Sequence, residues 1–162
     1  MTKLINLKFI VLGNIKESFL RDAAAEYIKR LSAFAKVELC ELKEARLPDN
    51  PSQSHIDAAL EDEAARILAA IPPRSHVVAL AVEGKQMSSE DFAAHIENVT
   101  QTASNICFII GSSHGLSDKV KNAADYKLSL SKMTFPHQLF RVMLLESVYR
   151  AFNIIKGTKY HK

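Results

Sequence analysis

Hydrophobic and polar positions along this chain change period several times, and each change marks an element. In "MTKLINLKFIVLG" apolar residues crowd together up to Gly13, the pattern of a first strand with Lys8 inside it. From Glu17 to Phe34, residues Phe19, Leu20, Ala23, Ala24, Tyr27, Ile28 and Leu31 recur at three- and four-residue spacing, which predicts an amphipathic helix. "KVELCEL" then alternates as a short strand. "KEARLPDNPSQS" reads as loop from its Pro, Asn, Asp and Ser content, and it is the stretch most open to disorder.

A second helix is expected from Ser54, as its cap, through Ile71, where Pro72 and Pro73 stop it. "HVVALAV" and "NICFII" are near-continuous apolar runs. Strands of that kind are buried on both faces, which favours a parallel sheet covered by helices. Between them "SSEDFAAHIENVTQT" reads as a helix, with Ser88 and Asp91 spaced as a capping box. A short polar helix over Asp118–Ala124 and a strand "YKLSL" follow. In the connection to the last helix, Thr134 is expected as the cap and Pro136 in the first turn, where a missing amide leaves no bond unmade. Gly157 marks the helix end. The sum is an alternating β/α chain of five or six strands, one domain over residues 1–162, without internal repeats.

The last helix carries two apolar stripes side by side. Val142, Leu145, Tyr149 and Phe152 form one, and Phe140, Leu144, Val148, Ala151 and Ile155 the other. A helix apolar over so much of its circumference needs cover on more than its core side. A second copy of the chain is the simplest cover in a protein this small, so a homodimer is expected.

Composition changes this picture little. A hydrophobic share of 48% with 24% charged residues, 5 Gly and 5 Pro is that of an ordinary globular domain rather than a fibrous or disordered chain. The net charge of +3 permits a polyanionic partner, but affinity for one must draw on shape or stacking as well as charge. Cys40 and Cys107 sit in strand-like runs without metal spacing, the usage of reduced thiols in a cytoplasmic protein. No apolar run approaches a membrane span, and neither membrane nor metal is expected.

The chemistry concentrates after the fourth strand and before the last helix. "GSSHG", Gly111 to Gly115, has three readings. It is a plain tight turn, or a loop whose glycines let a nucleotide-like ligand approach the carboxyl edge of the sheet. Or it is the G-x-S-x-G elbow of a small serine hydrolase, with Ser113 as nucleophile and Asp125 and then His137 or His161 following in order. His55, His76 and His95 read as structural or surface residues, whereas His114, His137 and His161 fall in loops or where strands end.

The ending "SLSKMTFPHQLFRVMLLESVYRAFNIIKGTKYHK", with "FIVLGNIKE", "YIKRL", "LAVEGKQMSSEDFA" and "CFIIGSSHGL" before it, closely resembles the ribosomal RNA large subunit methyltransferase H family of the SPOUT class. The resemblance covers essentially the whole chain. It implies an α/β fold, a SPOUT-type parallel sheet flanked by helices with a deep trefoil knot at the carboxyl terminus. It further implies an S-adenosyl-L-methionine site in the knot and a homodimer. The implied activity is methylation of N3 of a pseudouridine in the helix 69 loop of 23S rRNA on the assembled ribosome.

Matched position by position, the resemblance implies a cofactor site made by Leu80, Gly111, Leu130, Ser131, Lys132, Met133, Thr134 and Phe135. Leu80, Leu130, Met133 and Phe135 suit an apolar slot for adenine, and Gly111 removes a Cβ where the ligand approaches. For contact with RNA or removal of the imide proton the candidates are His137, Arg141, Tyr160 and His161. The chain departs from the family in having Gly111 followed by Ser112, where two glycines are usual, which implies strain if the second position needs positive φ. A few extra residues also precede the first strand. The competing function classes are the serine hydrolase built on Ser113 and a non-enzymatic ribosome-binding module.

Overall fold

A computed structural model describes residues 4–162; Met1–Lys3, part of the expected extra amino-terminal residues, lie outside the described residues. The strands are β1 (Asn6–Leu12), β2 (Lys36–Leu42), β3 (Ser75–Lys85), β4 (Asn105–Ile110) and β5 (Tyr126–Leu128). The helices are α1 (Ser18–Leu31), α2 (Gln53–Ala70), α3 (Ser89–Thr100), α4 (Asp118–Ala123) and α5 (His137–Lys156). All neighbouring strands pair in parallel, in the order β2-β1-β4-β3-β5.

The period-2 alternation of the apolar runs divides the core into two layers. Leu7, Phe9 and Val11 of β1 and Ile106, Phe108 and Ile110 of β4 enter one cluster with α1, α3 and α5. Ile10 and Leu12, with Cys107 and Ile109, enter the other, against Ala64 and Ile67 of α2 and Val120 of α4. Phe9 and Phe108 are register partners whose rings stack 5.2 Å apart, so the two central strands are joined by side chains as well as by their ladder. Burial pushes the Cys107 thiol up to about 12, which leaves it protonated and inert.

α5 lies between α1 and α3 on the sheet and buries Leu144, Leu145, Val148, Ala151 and Phe152. Phe34 stacks on Phe152 at 5.9 Å, and Tyr27 and Phe34 both pack against Tyr149. Both apolar stripes are therefore covered largely within one chain, because three helices share a face. The breadth of α5 alone does not require a second copy.

Four local expectations are corrected. Ser52, not Ser54, caps α2: its Oγ accepts the amide of His55 while the His55 ring nitrogen accepts the amide of Ser52, so His55 fills the place Glu or Gln holds in a capping box. α5 is capped by Pro136 without a side-chain bond, and Thr134 lies two residues further out. The loop after β2 is pinned rather than loose, since the Ala45 amide donates to Glu63 Oε2 at 2.9 Å and Arg66 donates to the Lys43 carbonyl. β5 is also shorter than the expected "YKLSL": it ends at Leu128, and the last bond of its pairing is the Ser129 amide's to the Lys85 carbonyl at 3.0 Å.

Candidate functional site

In a parallel sheet all strands end at one edge, and ligands gather in the crevices outside that edge. Here the ends of β3 and β4 and the connection from β5 to α5 enclose a cavity of about 660 Å³, within the range of small-molecule sites. Leu80, Gly111, Leu130, Ser131, Met133, Thr134 and Phe135 all line it, although they come from three separated stretches of chain. Lys132 is exposed and is not among the lining residues.

One wall is the Gly111–Gly115 turn. A Cβ on Gly111 would sit 2.4 Å from the Gly115 carbonyl oxygen, so the turn itself demands glycine, whatever ligand lies beside it. Gly115 adopts φ +83 and returns a hydrogen bond to Ser112. Ser112 carries no strain, because among the described residues Arg74 is the one non-glycine with positive φ. Its hydroxyl donates to Glu63 Oε1 at 3.0 Å, and the same carboxylate, 4% exposed, accepts Ala45 N through its other oxygen. Glu63 thus ties the turn to the loop after β2.

The opposite wall, Ser129 to Phe135, is lightly held. The Ser129 hydroxyl donates to the Ser131 carbonyl, the Ser131 hydroxyl accepts the amide of Met133, and the Met133 side chain is 73% exposed. At the rim Lys121 Nζ lies 2.6 Å from Glu83 Oε1, a bond that holds the Glu83 carboxyl below the usual carboxylate range. Glu83 and Lys121 escape a sequence reading because one lies near the end of β3 and the other on a short polar helix, with no periodic signal linking them. Ile110, Leu116 and Phe140 complete the apolar lining.

The four residues expected to touch RNA or move a proton are not together. His137, at the start of α5, lines the cavity and also a second cavity of about 560 Å³ over the ends of β1 and β2. Its Nε2 lies 3.6 Å from Glu44 Oε1. Arg141 corrects the expectation: it is 2% exposed, pairs with Glu41 at 2.9 Å and donates to the Gly13 carbonyl at 2.9 Å. It is a buried tether of α5 to the ends of β1 and β2, unavailable to RNA.

Tyr160 and His161 follow α5 but fold back along it, the Tyr160 ring lying 4.8 Å from that of Tyr149. Tyr160 donates to Glu146 Oε2 at 2.6 Å, and burial together with that carboxylate raises its pKa, which removes the phenol as a proton acceptor. His161 is held between Arg150 and Glu90.

The hydrolase reading fails on geometry. No hydrogen bond joins Ser113 to a histidine among the described residues, and Asp125 lies just before β5, its carboxylate accepting Val77 N at 2.8 Å. α4 begins only at Asp118, behind its own cap Ser117, so Ser113 is not at a strand-to-helix elbow. His76 and His95 face each other at 3.2 Å between Nε2 atoms, and burial lowers both pKa values. What remains at the edge is an apolar cavity with backbone groups at its rim, one charged pair and two histidines, His114 and His137: a binding site suited to a planar, partly charged ligand.

Comparison with known proteins agrees. Residues 5–161 match the family described as "Predicted SPOUT methyltransferase". A protein of Clostridium beijerinckii named ribosomal RNA large subunit methyltransferase H is 50% identical over 159 residues, covering 98% of this chain and 100% of its own. Its namesakes from Streptococcus thermophilus and Bacillus pumilus are 50% and 46% identical over the same span. Among solved structures, a probable methylase family protein from Haemophilus influenzae aligns with a TM-score of 0.55 at 14% identity, covering 98% of this chain and 71% of that one, a likeness of fold alone. With full-length identity near one half to these relatives and a cavity built by the stretches that carry the motif series, the chain belongs to the ribosomal RNA large subunit methyltransferase H family of SPOUT methyltransferases.

Proposed function

We propose that this protein methylates ribosomal RNA of the large subunit, using S-adenosyl-L-methionine. Its target in this reading is N3 of a pseudouridine in the helix 69 loop of 23S rRNA, modified on the assembled ribosome in the cytoplasm. The observation that carries the proposal is the carboxyl-edge cavity, lined from three separate stretches by Leu80, Gly111 and the segment from Leu130 to Phe135, in a chain whose relatives bear the name of rRNA methyltransferases.

The residues present fit the cofactor. Leu80, Leu130 and Phe135 offer an apolar slot for adenine, and the Lys121–Glu83 pair offers complementary charges to an amino-acid zwitterion. Bound there, S-adenosyl-L-methionine supplies a methyl group on a positively charged sulfur that leaves as a neutral thioether. The chain's own work is to position and to exclude water. His137, which borders the cavity, is the candidate to receive the imide proton.

The reading extends to a homodimer and a carboxyl-terminal trefoil knot. In support of the knot, Leu128 pairs with both Leu80 and Lys85, so residues 81–84 bow out around the end of β5, and a Cβ on Gly84 would meet the Lys127 carbonyl oxygen at 2.7 Å. In support of the dimer, exposed Met133 and Val82 on the cavity rim are candidates for cover by a second copy.

A tritiated-methyl assay tests the proposal. Label should enter 23S rRNA when assembled ribosomes are supplied and far less when free rRNA or a short hairpin is supplied, since a net charge of +3 gives little purchase on naked RNA. Absence of S-adenosyl-L-methionine binding in calorimetry, together with no label in rRNA, would reject it. Ribosome association without label would instead favour a binding module.

A further inference from the structure

The second cavity, outside the ends of β1 and β2, is not used by anything above except His137. Its walls are the turn after β1 with Gly13, Asn14 and Lys16, the end of β2 from Glu41 to Glu44, and the first turn of α5. Arg141 joins all three walls by its bonds to Glu41, Leu12 and Gly13, and Gln138 Oε1 accepts the Lys16 amide at 3.1 Å. The cavity is therefore held open by buried and bridging polar contacts rather than by chance packing. His137 is the one residue that lines both cavities.

We infer that this second cavity receives the target nucleobase, lifted out of its RNA stack, with His137 in the wall shared with the methyl-donor cavity and Glu44 as the residue that positions it. The inference rests on the rRNA methyltransferase reading and adds where the acceptor sits. In a direct transfer between two substrates the reacting atoms must meet, so their sites must adjoin, and the two cavities adjoin only at His137. The lining suits the ligand. A uracil-type ring presents alternating carbonyl and N–H groups along its edge, which the side-chain amides of Asn14 and Gln138 can bond. Glu41 is neutralised by Arg141, whereas Lys16 and Lys43 have no carboxylate partner among the described residues and remain for flanking phosphates.

The proton balance follows. The imide N–H bond breaks with its proton passing to a ring nitrogen of His137. The electron pair left on the base nitrogen forms the bond to the methyl carbon, whose former bonding pair stays with its carrier. Glu44, 3.6 Å from His137 Nε2, stabilises the resulting imidazolium and fixes the ring's orientation.

The test separates acceptor binding from turnover. Filter binding of assembled ribosomes, without cofactor, should weaken about tenfold in Lys16→Glu and in Asn14→Ala, with Lys43→Glu as a second exposed-site variant, while calorimetric affinity for S-adenosyl-L-methionine stays at the wild-type value. Glu44→Gln should lower kcat about tenfold or more without changing either affinity, and Glu44→Asp should recover part of the loss. Wild-type ribosome affinity in Lys16→Glu and Asn14→Ala would overturn the inference, as would loss of cofactor binding in them, which would make the cavity part of the donor site. Wild-type kcat in Glu44→Gln would remove Glu44 from its role. Failure of the unmutated protein to label rRNA would reject the methyltransferase reading itself, and the ribosome-binding comparison would still judge the cavity.

Discussion

The two walls of the donor cavity are built on opposite plans. The Gly111–Gly115 turn is locked: a glycine pressed against a carbonyl, a left-handed Gly115, and a serine hydroxyl tied to the buried carboxylate of Glu63. Beyond the bond from the Ser129 amide to the Lys85 carbonyl, the segment from Ser129 to Phe135 carries only short-range bonds of its own and exposes Met133. Turn geometry in the first wall is determined before any ligand arrives, whereas apolar surface in the second awaits cover. A site for a ligand that must enter and leave needs one fixed reference and one yielding side.

That contrast can be broken at several points. Gly111→Ala should have the largest effect, because its Cβ falls 2.4 Å from backbone that cannot move without opening the turn. A loss of about 1–3 kcal/mol or more in chemical denaturation, with no measurable cofactor binding, is expected. Glu63→Ala should come next, since it strands the Ala45 amide and the Ser112 hydroxyl in a buried setting. About 1–3 kcal/mol should be lost, together with a fall in cofactor affinity.

Ser112→Gly, which restores the pair of glycines usual in the family, should cost about 1 kcal/mol through the lost bond to Glu63 while keeping cofactor affinity near the wild-type value. An equal or greater stability in that variant would show that Ser112 contributes nothing to the locked wall. At the yielding wall, Met133→Ala should leave the melting midpoint unchanged within the effect of about 0.5 kcal/mol typical of surface changes, yet weaken cofactor binding several-fold. If both walls responded alike in stability, the contrast would be lost.

How far the sequence reached can be judged residue by residue. The near-continuous apolar runs "HVVALAV" and "NICFII" were enough to place β3 and β4 in a doubly covered parallel sheet, because a strand with no polar face must be buried on both sides. Caps were read less well. Ser54 and Ser52 are equally plausible on the page of a sequence, and only the His55 ring, returning a bond to the Ser52 amide, selects between them. Thr134 lost its expected place to Pro136, since α5 starts two residues later than a cap at Thr134 would set it.

By itself the sequence determined the order and type of the elements, the covered parallel sheet and, through motifs spread over the whole length, the family. Those follow from short-range periodicity and from residue types at set spacings. Tertiary structure alone decided that Leu80, Gly111 and Leu130 share one cavity, that Arg141 points into the molecule, and that Tyr160 and His161 fold back onto α5. It decided, too, that α1 and α3 cover the broad apolar face of α5. Which partner satisfies a polar or apolar group is settled by three-dimensional neighbours up to a hundred and more residues away in the chain, as Arg141 shows with Glu41 and Gly13. No local pattern encodes that choice, because the same arginine, read only with its helical neighbours, suits a solvent-facing position as well as a buried one.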